Sequence, residues 1–430
     1  MRYPSLLLVL LAFTLAAPQT ILAHGVPPAG RSLFVVNQGD APDDRWVYVT
    51  NFGVITPEFS DRYVCEEAFF GGDRFLLAPL GLRDWAFFTP RQAGYTEDGC
   101  VFEETLALPT LPTDMAIDPE TRHLAFTVES PDGSEIWRSL NFGRSFEKLS
   151  VELGPIRPTA LGYLDTDTLL LLGYSNQEDS WGKARMITID LETLELQEIP
   201  LEEGLRFPAL LDARAGHLLW HARRDNQTEI YWGPPDEPTR GAYFTPRWPL
   251  SGALSLDGQT AYLGGVDENS RGIFTAGYED PSSWEELLPG HRTLCLTATV
   301  DGLYACGHRE SDGHDLLFID LNLQLLELLD FRDLQGPRDD CPETSTTAQI
   351  CPVVWPETAA MLSLDFDSPE SSPTPDEEPD EDPEPADDQE EPAEEQASGC
   401  STTSGPSSPL FLLLFLALLA GLPRRNKMAA

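Results

Sequence analysis

The sequence predicts an all-β fold in which a four-stranded unit repeats around a ring. Between residues 31 and 335, short apolar or alternating runs are separated by Gly, Pro, Asp and Asn, a pattern typical of strands joined by turns. The runs come in sets of four, and almost none is long or periodic enough for a helix. Each set spans roughly 40 to 50 residues, the usual length of one β-propeller blade. We therefore predict a β-propeller of four-stranded antiparallel blades.

Five of the sets can be followed directly in the sequence. They begin with DMAIDP at residue 114, PTALGYL at 158, FPALLDA at 207, GALSL at 252 and RTLCLTAT at 292. Two earlier units are needed to fill residues 31–110, which gives seven blades of about 44 residues each. Six or eight blades also fit this spacing.

The N-terminus predicts export. Arg2 precedes the apolar run LLLVLLAFTLAA, and the small residue Ala23 marks the predicted cleavage site. This run is too short to span a bilayer, so residues 1–23 are predicted to be a signal peptide.

The C-terminal part of the chain, from residue 365, changes character twice. Residues 365–397 hold sixteen Asp or Glu, seven Pro and no Lys or Arg, so this segment cannot bury a core and is predicted to stay extended. An apolar stretch follows at 409–422, and then a basic end at Arg424, Arg425 and Lys427. The predicted organisation is therefore a propeller at 24–335, an extension packed on it at 336–364, a disordered stalk at 365–408 and a hydrophobic segment at 409–430.

The combination of stalk, Gly-Cys, short apolar segment and terminal Arg cluster resembles the MYXO-CTERM sorting tails of myxobacteria. The defining residue is Cys400. The resemblance implies processing near Cys400, which would carry a lipid that holds the protein at the outer membrane or surface of a Gram-negative cell. The alternative is an ordinary C-terminal membrane anchor, for which the apolar run is short. Either reading makes the membrane a partner, with the bulk of the chain outside the cytoplasm.

The charge of the chain limits its partners. The formal net charge is −43, and residues 24–364 hold 55 acidic against 24 basic side chains. Such a surface repels phosphate, so nucleic-acid binding is excluded. We expect a soluble monomeric body.

The remaining six cysteines form an even set in an exported chain, which predicts disulfides. Proximity in sequence favours Cys65 with Cys100, Cys295 with Cys306, and Cys341 with Cys351. The second pair has the best physical support, because Cys295 and Cys306 flank a Val300-Asp301-Gly302 turn and nearly face each other across a hairpin.

One turn element recurs. Residues 139–146 read SLNFGRSF, residues 96–102 read TEDGCVF, and residues 50–53 begin a poorer copy, TNFG. These resemble the Asp-box, or BNR repeat, a hairpin between the outer strands of sialidase-like and sortilin-like propellers. The resemblance assigns structural roles in the turn to two sets of residues. They are Ser139, Asn141, Gly143, Ser145 and Phe146 in one copy, and Thr96, Asp98, Gly99 and Phe102 in the other.

Catalysis finds little support in the sequence. A sialidase-like enzyme needs an arginine cluster, a Tyr–Glu pair and an acid, and the FRIP motif of that family is missing; the nearest string is IRPTA at 156–160. Acidic residues such as Asp165 and Asp167 are expected to form a solvated loop face. His217 and His221 are expected to be a packed or exposed pair on one strand rather than metal ligands. No catalytic residue, cofactor or metal is predicted.

The start AHGVPP, the pair Cys65 and Cys100, and the ending DCPETSTTAQICPVVWP resemble landmarks of secreted Asp-box propellers of myxobacteria, which have no assigned activity. We expect a surface-anchored module that binds or displays a protein, peptide or polysaccharide. The alternative is a carbohydrate-active enzyme with carboxylates at the central channel. A third hypothesis, an assembly factor, has only the fold in its favour.

Overall fold

The protein folds into seven antiparallel sheets of four strands, which confirms the predicted β-propeller. The computed structural model describes residues 30–362 except 37–45, 70–74, 119, 131–132, 178–181, 226, 238, 245–248, 250, 266–271, 292, 308 and 310–312. Strands within each sheet follow chain order, so every blade is an up-and-down meander.

The first four blades contain strands β1 to β16. Blade 1 has β1 (Gly30–Val35), β2 (Trp46–Thr50), β3 (Gly53–Ile55) and β4 (Arg62–Cys65). Blade 2 has β5 (Leu76–Pro79), β6 (Trp85–Phe88), β7 (Gln92–Thr96) and β8 (Glu103–Ala107). Blade 3 has β9 (Asp114–Ile117), β10 (Leu124–Ser130), β11 (Gly133–Ser139) and β12 (Glu147–Lys148). Blade 4 has β13 (Ile156–Asp165), β14 (Thr168–Ser175), β15 (Ala184–Asp190) and β16 (Leu196–Ile199).

The last three blades contain strands β17 to β28. Blade 5 has β17 (Arg206–Arg214), β18 (His217–Arg224), β19 (Gln227–Gly233) and β20 (Thr239–Phe244). Blade 6 has β21 (Ser251–Leu254), β22 (Thr260–Gly264), β23 (Gly272–Gly277) and β24 (Glu285–Pro289). Blade 7 has β25 (Cys295–Ala298), β26 (Gly302–Cys306), β27 (Leu316–Asp320) and β28 (Leu325–Leu329). The last five blades are the five sets read from the sequence.

Each boundary between neighbouring blades encloses apolar side chains, which is what the alternating strands require of a stacked sheet. Between blades 2 and 3, for example, Phe88 packs on Phe126 with ring centroids 4.9 Å apart. Separate clusters fill the boundaries from blade 3 to blade 7. The core is therefore distributed around the ring.

Polar side chains on the first strands also join neighbouring blades. In five blades, a side chain of the first strand bonds to the backbone at or just before the first strand of the next blade. These bonds are Asp114 Oδ2 to Leu161 N (2.8 Å), Thr159 Oγ1 to Pro208 O (2.6 Å), Asp212 Oδ2 to Leu254 N (2.8 Å), Ser251 Oγ to Thr293 O (3.1 Å) and Thr297 Oγ1 to Leu33 O (3.0 Å).

The ring closes between blades 7 and 1. Besides the Thr297 bond to Leu33, the Tyr48 hydroxyl donates to the carbonyl oxygen of Asp315 (3.1 Å). The largest apolar cluster spans this boundary and contains residues of blades 1, 2 and 7. The four antiparallel strands of each blade come from one stretch of chain, so this boundary depends on packing and side-chain bonds and on the chain segment that follows blade 7.

The chain after blade 7 returns to blade 1. Strand β29 (Gly336–Pro337) pairs in parallel with β4 and gives blade 1 a fifth strand. Helix α1 (Thr346–Met361) follows, and the Ser345 side chain caps its N-terminus by accepting the Ala348 N–H. We did not predict this helix, because Pro352 and Pro356 interrupt its pattern.

The disulfide pairing corrects two of the three predictions. Cys295–Cys306 forms as predicted, between directly opposed residues of β25 and β26. Cys65, however, pairs with Cys351 and Cys100 pairs with Cys341. Pairing by proximity failed because the C-terminal segment crosses both blade 1 and blade 2, so the correct partners are 286 and 241 residues apart.

The two long-range disulfides should stabilise the ring more than the hairpin disulfide does. Replacing Cys65, Cys100, Cys341 and Cys351 with Ser opens loops of hundreds of residues, and we expect the free energy of unfolding to fall by at least about 4 kcal/mol. Replacing Cys295 and Cys306 opens a short loop and should cost about 2 kcal/mol. Urea unfolding measures both, and an equal loss would contradict the proposed role of the C-terminal segment.

Candidate functional site

The candidate site is the channel at the centre of the ring. The first strands of the blades surround a cavity of about 1110 Å³. Its wall includes apolar side chains such as Leu33, Met115 and Leu211, together with a few charged groups. A cavity of this size at the axis of a rigid ring can hold part of a ligand.

Asp114 lies on the channel wall at the start of β9. Its Oδ2 accepts the backbone N–H of Leu161 in the next blade at 2.8 Å. Burial raises its pKa to about 6, while the N–H groups of Leu161 and Met115 lower it in part. No charged side chain contributes to this shift among the described residues, so Asp114 has no acid–base partner there.

Asp212, on β17, also accepts a backbone N–H group of the next blade. Its Oδ2 accepts the Leu254 N–H at 2.8 Å, and its Oδ1 accepts the Ala213 N–H at 2.8 Å. Burial raises the pKa of Asp212, and Arg214, whose Nε lies 3.9 Å from Oδ2, opposes the shift. Arg214 in turn donates to the carbonyl of Ala298 in blade 7 (2.6 Å). Both members of this ion pair therefore hold backbone groups.

The turns between first and second strands form one mouth of the channel. In blade 3, Asp118 is buried and accepts the Glu120 N–H at 3.0 Å and the Thr121 hydroxyl. Next to it, Tyr163 is only 6% exposed, and its hydroxyl has no hydrogen-bond partner within the described residues. Burial raises the pKa of Tyr163, with a smaller contribution from Asp118.

This arrangement does not favour acid–base catalysis. A glycosidase needs two carboxyl groups on either side of one bond, about 5 to 10 Å apart and chemically free. Asp114 and Asp212 lie on different blades, and each already binds backbone N–H groups. Neither carboxylate shifts the pKa of the other. Asp114 and Asp212 therefore do not form a coupled acid–base pair.

The two histidines considered in the sequence analysis, His217 and His221, have different environments. His221 is 4% exposed, and burial lowers its pKa to about 4, so it is neutral at pH 7. His217 donates its Nδ1–H to the Ala215 carbonyl (2.9 Å) and packs edge-on against Tyr278. The described part of the chain holds no group of three His, Cys, Asp or Glu side chains placed to bind a metal.

A second charged cluster was missed by sequence reasoning. Arg224 donates to Glu202 (2.6 Å) and to the Tyr231 hydroxyl (3.2 Å), and that hydroxyl donates to buried Glu229. Trp220 stacks on Tyr231 at 4.4 Å. The group lies on β18 and β19 between blades 4 and 5, away from the channel, and it resembles an interblade structural network. Only alternation of polar residues on these strands could have indicated it.

Side-chain hydrogen bonds are present in both turns named in the sequence analysis. Between β11 and β12, Ser139 Oγ accepts the Gly143 N–H (2.9 Å) and Asn141 Oδ1 accepts the Ser145 N–H (2.9 Å). Gly143 has φ +80°, which suits Gly, and the Phe146 ring packs on Phe126 at 5.3 Å.

The turn between β7 and β8 has similar bonds. Thr96 Oγ1 accepts the Gly99 N–H (2.9 Å), Asp98 Oδ1 accepts the Cys100 N–H (2.7 Å), and Phe102 packs on Phe69 at 4.7 Å. The third copy was wrongly aligned. Residues 50–53 join β2 to β3 rather than a third strand to a fourth, so their spacing from the other copies is coincidental.

A smaller cleft of about 580 Å³ lies between blades 3 and 4. It is lined by Thr110, Tyr174 and the exposed ion pair of Arg157 Nε with Glu129 Oε1 (2.6 Å). An exposed pair of this kind contributes little to stability or recognition.

Several predicted features lie outside the described residues. These are Ala23 and the signal peptide, Cys400, the acidic stalk and the segment at 409–430. Within the described residues, no helix has the length and apolar character needed to cross a bilayer.

No family model matches the chain, and none of the curated proteins is a match. Among solved structures, the chain is similar to hydrazine synthase of Kuenenia stuttgartiensis, with TM-score 0.47 and 10% identity over 71% of this chain and 99% of that one. It is also similar to the Cps50 (Swd1) β-propeller domain of Myceliophteria thermophila, with TM-score 0.46 and 14% identity over 65% and 93%. It is also similar to the RRP9 WD40 repeats, with TM-score 0.43 and 13% identity over 67% of this chain and 89% of that one.

The charge on Asp114 should make stability depend on pH. Its folded-state pKa of about 6 lies above the usual value of 3.8, so the ionised form destabilises the fold above pH 6, and the penalty disappears as pH falls towards 4. Asp114→Asn keeps an acceptor for Leu161 without the charge. We expect this variant to be about 1–2 kcal/mol more stable than the parent at pH 7.5, less than full linkage because the cavity admits water. The two should converge below pH 4.

Asp257→Asn is the matched control for this prediction. Asp257 accepts the Ser255 hydroxyl (2.6 Å) and the Gln259 N–H (3.0 Å), and these bonds lower its pKa. Its neutral variant should therefore not gain stability at pH 7.5. Urea unfolding at pH 4 and pH 7.5 measures both variants. Equal stability of Asp114→Asn and the parent at pH 7.5 would show that water screens the channel carboxylate fully.

Proposed function

We propose that this protein is a surface-anchored β-propeller that binds a protein, peptide or polysaccharide partner and carries out no catalysis. The observation that supports the proposal is the state of the channel carboxylates. Asp114 and Asp212 are half-buried carboxylates on the wall of a cavity of about 1110 Å³, and each accepts a backbone N–H group of a neighbouring blade. A cavity whose charged groups hold the ring together offers shape and polarity without an acid–base pair.

The anchoring part of the proposal is supported by the sequence. The signal peptide, the acidic stalk and the Gly-Cys followed by an apolar and a basic segment together indicate export and retention at the outer surface. The turns at 96–102 and 139–146 we infer to be Asp-boxes, on the evidence of their Asx and hydroxyl bonds and their glycines. The Asx, hydroxyl and glycine residues of such turns stabilise the blades.

A ligand screen on the full mature chain tests the binding proposal. The probes are a printed glycan array, a peptide array and a panel of fluorogenic aryl glycosides. We expect binding to one array and no hydrolysis. Thr166→Trp, at the channel mouth, should reduce that binding about tenfold or more by filling the mouth.

Thr344→Trp is the control, because Thr344 is equally suited to substitution but lies in the exposed C-terminal segment. Hydrolysis of a glycoside that disappears in Asp114→Asn or Asp212→Asn would overturn the proposal in favour of the enzyme alternative. No binding to either array would also reject it.

The anchor can be tested separately through Cys400. A lipid on this thiol should hold the protein in the membrane fraction, so Cys400→Ala should release it into the medium or misroute it. Cell fractionation followed by blotting measures the distribution, with Ser398→Ala as a control substitution two residues before Cys400. Unchanged membrane retention of Cys400→Ala would reject the lipid role and favour a spanning anchor.

A further inference from the structure

The two faces of the ring differ in where apolar side chains are exposed. Antiparallel order places the turns between strands 1 and 2 and those between strands 3 and 4 on the same face, which we call the turn face. Of eleven large apolar side chains that are exposed among the described residues, ten lie in one of these turns or in the first two residues of the fourth strand. The eleventh, Val353, lies on helix α1. Single exposed apolar residues are ordinary, but this concentration on one face is not.

Blade 7 contributes the densest part of the turn face. Leu321 and Leu323, in the turn between β27 and β28, are 75% and 49% exposed. Val300, in the turn between β25 and β26, is 64% exposed. Leu325 and Leu326 continue the patch along the outer strand, whose far edge has no pairing strand in the described part. Nothing in the blade requires these side chains to be apolar.

Blades 3 and 6 extend the pattern. Leu140 and Phe142 flank Asn141 at the tip of the turn between β11 and β12 and are both more than 40% exposed. Hydrogen bonds to Ser139 and Asn141 and the conformation of Gly143 hold that turn, and the two apolar side chains take no part in these bonds. Leu256, in the turn between β21 and β22, is 47% exposed.

The turn face carries many more acidic than basic side chains. Its described turns hold six acidic side chains between strands 1 and 2 and ten between strands 3 and 4, against three basic ones. Two of those three, Arg83 and Arg144, are paired with Glu58 and Glu97 of the same face. The field at the channel mouth is therefore negative, and it repels anionic lipid and anionic polysaccharide.

The channel wall on this side also holds an unsatisfied polar group. Tyr163 is 6% exposed beside buried Asp118, and its hydroxyl has no hydrogen-bond partner within the described residues. A buried hydroxyl without a partner costs about 1–3 kcal/mol. A ligand, or a water molecule ordered by one, would recover part of that cost.

From these observations we infer that the turn face is a docking surface for a basic protein segment that carries apolar side chains. Lysine or arginine side chains of that segment meet the acidic turns, and its apolar side chains cover the leucines of blade 7. Charge complementarity sets the orientation and the association rate, and apolar burial supplies the affinity. A second copy of this chain is a poor occupant, because its own net charge is −43. The inference depends on the proposed binding function and narrows it to one face and one ligand class.

Three labelled twelve-residue peptides test the inference on the full mature chain. One alternates Lys and Leu, one alternates Glu and Leu, and one alternates Lys and Ser. Fluorescence anisotropy should show the Lys/Leu peptide binding at least about tenfold more tightly than either other peptide, with affinity that falls as salt rises. Equal binding of the Glu/Leu or Lys/Ser peptide would overturn the inference.

Variants locate the interaction. Leu321→Ser with Leu323→Ser should weaken binding of the Lys/Leu peptide at least about fivefold, whereas Val353→Ser, equally exposed but on α1, should not. Glu120→Gln with Asp167→Asn should also weaken it. Glu152→Gln with Glu203→Gln, on the opposite face, should leave it unchanged. These exposed residues can be replaced without loss of folding. Equal effects of the two acidic pairs would show non-specific attraction and reject the docking surface.

The outcomes separate this inference from the proposed function. Binding of a glycan or of a neutral peptide on the arrays, with no preference for the Lys/Leu peptide, would reject the docking inference and leave the binding function in place. Failure of every array and every peptide would reject both. Loss of peptide binding in the blade 7 variant, with glycan binding retained, would place two ligands at two sites and support the inference.

Discussion

The fold depends on closing the ring between blades 7 and 1, which are the parts of the propeller farthest apart in sequence. Bringing them together carries the largest loss of chain entropy in the molecule. One apolar cluster shared by blades 1, 2 and 7 offsets this entropy loss, together with the hydrogen bonds of Thr297 and Tyr48 across the boundary. The C-terminal segment then covers the edge of blade 1 and is fixed by two disulfides. The central channel exists only because this closure holds.

Local sequence patterns predicted the strands. Features that depend on contacts between distant parts of the chain, such as two of the disulfides, were not predicted. The continuous apolar run of TLLLLGYS and the apolar residues of ARMITIDL were enough to find β14 and β15, because both faces of a middle strand must pack against neighbouring blades. Cys295 and Cys306 were paired correctly since a turn fixes their register. Cys65 and Cys351 were not, because nothing near either residue reveals that the chain returns across two blades.

The channel carboxylates were harder to interpret from sequence, since 55 acidic residues in the predicted folded part hide the few that matter. Asp114 and Asp212 occur on first strands, where a polar residue among apolar ones must find a buried partner. Their partners are N–H groups of the next blade, which no sequence spacing indicates. The position of an acidic residue on an inner strand is therefore a signal for interblade bonding as much as for catalysis.

Interior residues join the blades, whereas many turn residues have no contact that the fold requires. This difference explains why the surface sequence of a propeller can vary freely. Interior residues are fixed by the need to join neighbouring blades, as Asp212 and Thr297 illustrate. In the turn at 139–146, the Asn141 side chain and the glycine Gly143 fix the backbone. The side chains at the neighbouring positions are therefore not needed for the fold. Leu140 and Phe142 occupy such positions, and water would favour polar residues there. Apolar side chains that the fold does not require, exposed on the more acidic side of a rigid ring, are best explained by a partner that covers them.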